Sequence, residues 1–588
     1  MRSPDLVLLH APHVYDFRKV PQLYGPVSDL VPATPVFEMY PLGFTSLAEY
    51  LENAGYRVRI VNLAYRMLRD ARFDAEKFIK RIRAPIFGID LHWMVHAHGA
   101  AEIAKLVKKH HPKSKTIFGG FTASYYWREL IGLPQVDYVM RGDSTEEPMA
   151  ALLRAMKSHR LGSVANLVWK DIRGVVRENA LTHIPERLTE VMRDHYGGLL
   201  RQVFRYRDLK SIIPFKGWLS HPITAVYTCR GCEQACIFCG GSRVALKRVT
   251  GREVTAFRTP EEIHRDVKNI SRVSRGPIFI LSDIRQSGDD AATDFLHRLQ
   301  REPVSNTVMF ELYWPASTRF ITDVSLAAPK FGFSISPHSH NPIVRRLLGL
   351  NYSNDGLEET ISAGLSSGAR RIEVYFMIGL PTETDDDVRG IIDLANRSYK
   401  AAKEAVPRES HVTVKLSLSV AVFIPKPHTP FQFCGQLSLN DIYRRLEILK
   451  SADLQRGIDL HWSDPQTSLL EAVLSRSGRE SADLIEQSWK NGALFDAWSE
   501  RFTISHWYEA AKSCSLNLSE MAEKNFEQNE RLPWDHIDSG ISKAFLSAEY
   551  KKSIRCEKTE DCSYTSCVGC GVCTALETSV VTGARRHV

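Results

Sequence analysis

At 588 residues the chain is too long for a single hydrophobic core, and three or four domains are expected. Apolar residues make up 44% and charged residues 24%, which is the balance of a globular protein and not of a disordered or membrane-spanning one. The net charge of +8 is dispersed. Its densest basic run, "VKKHHPKSK" at 107–115, reads as a solvated helix end, so charge points to no nucleic-acid partner.

The opening "MRSPDLVLLHAPHV" holds an apolar run too short for a secretory signal and reads as a buried first strand. The final "GARRHV" carries no lipidation signal, and no window approaches ~18 uninterrupted apolar residues. A cytoplasmic protein with no membrane partner is therefore expected. "FTSLAEYLENAG" has helical spacing and ends in glycine, and "YRVRIVNL" alternates as a strand. "APIFGIDL" is a strand before the helix "GAAEIAKLVKKHH". "KTIFGGFTAS" and "VDYVMRGDSTEEP" are further strands running into loops. This α/β alternation over residues 5–155 implies a doubly wound, flavodoxin-like parallel sheet. Such sheets bind ligands at the carboxyl ends of their strands, here the loops after Leu9, Asp90, Gly119–Gly120 and Gly142.

Residues 156–215 read as a connector with some strand. A second series follows: "ITAVYTC", "IFILSD", "VMFELYW", "GFSIS", "RIEVYFMIG" and "TVKLSLSVAVF", with helical patterns between. Six βα units suggest a partial β/α barrel, whose chemistry belongs at the C-terminal strand ends. From about 456 onward the pattern is helical. The expected domains are 1–190 with its connector, 216–455, and 456–588. The hexapeptide "GIDLHW" occurs at 88–93 and again at 457–462, in different surroundings, and is read as coincidence.

The 11 cysteines fall in two tight clusters, with Cys434 and Cys514 alone and expected to be buried small apolar residues. Clustered thiols without an export signal indicate metal more often than disulfides. In "YTCRGCEQACIFCGG", Cys232, Cys236 and Cys239 form CxxxCxxC, a loop able to hold three thiolates on one four-iron cluster. Three ligands leave one iron open to a small molecule. Cys229 is surplus.

CxxxCxxC after the first strand of a β/α barrel resembles the radical S-adenosylmethionine (SAM) superfamily, and Phe238 supplies its aromatic residue before the last cysteine. The resemblance implies SAM contacts from Gly240 and Gly241, from Asp283 in "ILSDI", from Ser336 in "SISPHSH", and from Gly379 in "MIGLPTET" near the adenine. His338 stands where relatives carry glutamate. "FIPKPHTPFQ" resembles the sixth-strand segment of members with cobalamin-type N-terminal domains. "YPLGFTSLAEYLENAGYRVRIV" and "IFGGFTAS" resemble that N-terminal domain, which implies cobalamin contacts from Gly43, Asp90, Gly119, Gly120, Thr122 and Gly142. The cobalt-ligating pattern Asp-x-His-x-x-Gly is not found. "DLHWMV" has Asp90 and His92, but Val95 replaces the glycine.

The resemblance implies a radical SAM enzyme that reductively cleaves SAM at a 4Fe-4S cluster. Cobalamin-dependent methyl transfer to an unactivated carbon of a small molecule or peptide is the leading reaction. It also implies an electron donor such as flavodoxin or ferredoxin. Three rivals stay open: a cobalamin-assisted rearrangement or oxidation, sulfur insertion, and a non-catalytic metal-binding module. At the tail, Cys567, Cys570 and Cys573 form CxxCxxC, with Gly569 and Gly571 at the tight turns. Cys562 is the natural fourth ligand and Cys556 a substitute; zinc, iron or a second iron-sulfur cluster would each fit. No base or substrate-binding residue is nominated; Glu311 and Tyr313 face the barrel site by strand position or serve as barrel wall.

Overall fold

The computed structural model describes residues 3–19, 39–158, 160–188, 195–232, 243–348, 350, 352–405, 415–494, 496, 502–557, 559 and 566–575. The chain divides into two compact units, one of residues 1–279 with 285–298 and the other of 280–284 with 299–588.

In the first unit, a sheet is built from β1 (Leu6–His10), β2 (Val58–Asn62), β3 (Ile86–Asp90), β4 (Lys115–Gly119), β5 (Tyr138–Met140), β6 (Leu167–Lys170) and β7 (Val176–Glu178). Its order is β2-β1-β3-β4-β5-β6-β7; the first five strands are parallel and β6 and β7 are antiparallel. This is the doubly wound arrangement expected. β1 shows why its apolar run is unbroken. Leu6 and Leu8 pack into one core with Ile60, Ile86 and Ile117. Val7 and Leu9 pack into another with Val61, Phe87 and Phe118. Both faces of the sheet are covered, so alternation disappears from the sequence. The basic run near 107–115 ends the helix Ala97–His110, where Lys109 and His110 both meet Glu76.

The same unit holds β8 (Thr224–Tyr227), β9 (Cys229–Arg230) and β10 (Ala256–Phe257), the last two forming an antiparallel pair. Thr259 and Glu262 form a reciprocal capping box at the start of the helix Pro260–Val273.

A second sheet has the order β16-β15-β14-β13-β12-β11-β8, using β11 (Ile278–Leu281), β12 (Val308–Leu312), β13 (Phe331–His338), β14 (Arg371–Ile378), β15 (Lys415–Val422) and β16 (Ile458–Trp462). From β12 to β16 all pairings are parallel. β16 is a seventh strand beyond the six expected. It is the second copy of the repeated hexapeptide, and the first copy contributes to β3. Beyond it, helices at 465–476, 504–513 and 518–523 share a core that includes Leu469, Val473, Trp507 and Leu518. Cys434 is buried as expected, whereas Cys514 is partly exposed.

Candidate functional site

Leu8 of β1 and the carboxyl ends of β3, β4 and β5 border a cavity of about 610 Å³ within the first unit. Gly43, Asp90, Gly119, Gly120 and Gly142 all line it. Gly120 has φ +111°, and a Cβ there would come within 2.8 Å of the His92 backbone. Only glycine lets these two loops approach so closely. Gly142, at φ +105°, donates its N–H to Ser124 Oγ at 3.0 Å. Thr122 is tied to the neighbouring loop, its hydroxyl donating to the His92 carbonyl at 2.9 Å. Leu8, Leu47, Ile117, Met140 and Met149 form apolar walls. Apolar walls with backbone-lined edges fit the broad faces and polar rim of a corrin cofactor, so the residues present are compatible with cobalamin.

Cys229, Arg230 and Gly231 line the same cavity, together with Ala225 and Tyr227 from β8. The cysteine loop therefore begins at the cavity wall. Cys232 is the member of the CxxxCxxC triad within the described residues, and it is partly buried. Cys236 and Cys239, with Phe238, Gly240 and Gly241, lie outside them.

Arg230 is fixed by a buried ion pair to Glu146 at 2.7 Å, and its guanidinium also donates to Ser144 Oγ at 3.0 Å. Ser46 donates its hydroxyl to the same carboxylate at 2.6 Å. Burial alone would raise the Glu146 carboxyl and lower the guanidinium. Their mutual attraction outweighs it, holding Glu146 below and Arg230 above their ordinary values. Arg252 pairs with Asp143 in the loop after β5.

A buried cluster missed by the sequence reading lies at the ends of β1 and β3. His10 Nδ1 donates to both Asp90 carboxylate oxygens, at 2.9 and 3.1 Å. The His96 ring stands edge-on to His10 with centroids 4.7 Å apart. One ligand atom from each of His10, Asp90 and His96 lies within 4.8 Å of the others. His10 Nε2 is buried with no hydrogen-bond partner among the described residues. Asp90 is thus more than a loop residue beside a cofactor: it orients a histidine from another strand. No local motif could reveal this, because the two residues are 80 positions apart.

In the second unit, Asp283 is buried just beyond β11 and accepts the Tyr313 N–H at 2.9 Å. Glu311 accepts the Ser282 N–H at 2.8 Å, and Ser282 has φ +73°. Burial raises the Glu311 carboxyl, the Ser282 bond partly offsets this, and nearby Asp283 adds to the rise. Ser336 is exposed on β13, beside a register shift between Ile335 and His338. Gly379, at φ +87°, donates its N–H to Glu383 Oε2 at 2.6 Å. His338 is held below its ordinary value by burial.

At the tail, Gly569 and Gly571 have φ of +72° and +93°, as tight turns between thiols require. The Gly569 N–H points at Cys567 Sγ, 3.4 Å away, and the Cys570 carbonyl accepts from Ser542 N–H at 2.9 Å. Cys556 packs with Val344, Leu347 and Leu380. Cys562 and the Cys573 side chain lie outside the described residues. Among the described residues no helix is long and apolar enough to cross a membrane.

Residues 29–153 match the B12 binding domain family, and residues 226–395 match the Radical SAM superfamily. The hopanoid C-3 methylase of Methylococcus capsulatus is 26% identical over 256 residues, 43% of this chain and 44% of that protein. An uncharacterized protein of Methanocaldococcus jannaschii is 23% identical over 164 residues, 28% of this chain and 34% of that protein. An uncharacterized methyltransferase of Pyrococcus horikoshii is 25% identical over 373 residues, 61% of this chain and 73% of that protein. The chain thus spans less than half the length of the first two of these relatives. Among solved structures, the radical SAM methyltransferase TsrM of Kitasatospora setae, with cobalamin and a [4Fe-4S] cluster bound, is 15% identical with a TM-score of 0.48, over 71% of this chain and 75% of that one. The cobalamin-dependent SAM radical enzyme OxsB, with aqua-cobalamin and SAM bound, is 13% identical with a TM-score of 0.47, over 87% and 71%.

Proposed function

We propose that this chain, which joins a B12-binding domain to a radical SAM domain, transfers a methyl group from SAM to an unactivated carbon of its substrate. The observation that carries this reading is the single cavity bordered both by the glycine-rich strand ends and by Cys229–Gly231. A cofactor seated there lies beside the loop that would hold the cluster. Bound cobalamin and a 4Fe-4S cluster would supply the methyl-carrying and one-electron chemistry, with electrons from a donor such as flavodoxin or ferredoxin.

The chain's own residues bind, orient and shield. Cys232, Cys236 and Cys239 would hold the cluster. Gly119, Gly120 and Gly142 admit backbone to the edge of the cobalamin site, and Asp90 keeps the His10 ring fixed below the strand ends. Arg230 anchors the first turn of the cysteine loop. Asp283, Ser336 and Gly379 stand at or near the carboxyl ends of their strands and would contact SAM; Phe238, Gly240 and Gly241, outside the described residues, are proposed as further SAM contacts. Cys562, Cys567, Cys570 and Cys573 would close a second metal site.

The test is anaerobic reconstitution with iron, sulfide and cobalamin, followed by reductant and methyl-labelled SAM. Formation of 5′-deoxyadenosine and appearance of label in a product of cell extract support the reading. Cleavage without labelled product favours a non-methylating radical reaction, and no cleavage by iron-loaded protein removes the reading altogether.

A further inference from the structure

His10 closes β1 and Asp90 closes β3, and the register that pairs Leu9 with Ile89 sets them side by side. His96 ends the single turn Met94–His96 that follows β3. His10 and His96 are 0% exposed and Asp90 is 3% exposed. Two imidazoles and a carboxylate therefore meet in the interior of the first unit. The two histidines do not line the glycine-rich cavity, although Asp90 does.

The protein satisfies Asp90 poorly. Both of its oxygens share the His10 Nδ1 hydrogen, at 2.9 and 3.1 Å. Among the described residues nothing else donates to this carboxylate, and no Lys or Arg pairs with it. A carboxylate has room for about four hydrogen bonds. Buried charges are paired or bind metals, so a cation belongs here. A proton on His10 would supply one, but three details favour a metal ion. The carboxylate turns both oxygens to one nitrogen, the approach of a chelate. His96 adds a second nitrogen and no counter-charge: its ring centroid is 4.7 Å from that of His10, and one ligand atom from each of the three residues lies within 4.8 Å of the others. His10 Nε2 is buried with no hydrogen-bond partner among the described residues, so no bond obliges the ring to keep its proton on Nδ1.

We infer that His10, Asp90 and His96 bind one zinc ion. Zinc bonds of about 2.0–2.2 Å set ligand atoms of neighbouring residues about 3.4 Å apart. His10 and Asp90 are already close to that spacing, and side-chain rotation brings His96 to it. The ion displaces the Nδ1 proton, and Nδ1, the two Asp90 oxygens and one His96 nitrogen make four donors. Imidazole with carboxylate suits zinc, whereas magnesium and calcium favour all-oxygen sites and iron(II) ranks below zinc on such ligands. Complete burial makes the site a structural one. It ties β1 to β3 and to the start of the helix Ala97–His110, and braces the Asp90 side of the cavity.

The test uses the full-length chain carrying Cys567→Ala/Cys570→Ala, so that the tail thiols cannot hold zinc. The protein is loaded with iron and sulfide without oxygen, given zinc sulfate, and freed of unbound metal. Elemental analysis should find about one zinc per chain, and zinc X-ray absorption should show nitrogen and oxygen neighbours at about 2.0–2.2 Å with no sulfur at about 2.3 Å. His10→Asn, which keeps an N–H to face Asp90 but has no imidazole, and His96→Ala should each weaken zinc binding more than about tenfold. Zinc should raise the melting temperature of the chain with both histidines and leave that of His10→Asn unchanged. Absence of zinc, a sulfur shell, iron in the nitrogen and oxygen shell, or zinc undiminished in both variants overturns the inference. Should a variant fail to fold, the shell measured with both histidines in place decides alone.

Discussion

Arg230 and Glu146 form a buried ion pair at 2.7 Å, joining the first residues of the cysteine loop to the helix Glu146–Ser158 that follows β5. The two residues fall in the two different family matches yet lie in one compact unit. The pair fixes the start of the cluster loop relative to the glycine-lined strand ends, and that fixation is what a shared cavity requires.

Glu146→Gln should therefore be strongly destabilising, by about 3 kcal/mol, because it leaves a buried guanidinium without its counterion. Denaturant unfolding measures this. Glu146 is held below its ordinary 4.5 in the folded chain, so the folded state binds fewer protons here than the unfolded state. The pair's contribution should be complete above about pH 4.5 and fade as pH falls below it, and the variant should lack that acid-side loss.

Asp283→Asn retains an oxygen to accept the Tyr313 N–H but removes the negative charge. If Asp283 receives the SAM ammonium, KM for SAM should rise about tenfold with the melting temperature unchanged. If Asp283 only ties β11 to β12, KM should stay within twofold of the parent, and that outcome would remove it from the SAM site.

The tail makes a separate prediction. In Cys232→Ala/Cys236→Ala/Cys239→Ala protein, reconstituted without oxygen, some iron should remain bound, and Cys567→Ala/Cys570→Ala added to it should release that iron. Elemental analysis that finds zinc in its place assigns the tail a structural role instead.

Much of the architecture was legible because it is written in local patterns. The apolar run of β1, the glycine pairs and the βα alternation each follow from burial on two faces and from tight strand-to-helix turns. Gly120 was readable for the same reason, since its positive φ and its contact with His92 need the smallest residue. What escaped was set by register. His10 meets Asp90 only because β1 and β3 are neighbours, although β2 lies between them in sequence. β16 was hidden because its five residues precede a long helical stretch, and the strand is an exposed edge with weak alternation.

On the proposed function, the glycine-lined cavity holds cobalamin beside the cluster loop. The most direct measurement is cobalt and iron per chain after growth with cobalamin and removal of free cofactor, for the parent and for Gly120→Val. About one cobalt per parent chain is expected, and cobalt lost with iron retained in the variant, because a branched side chain at φ +111° drives into the His92 backbone. A parent chain that carries its iron and no cobalt, or a variant that keeps cobalt undiminished, would contradict it.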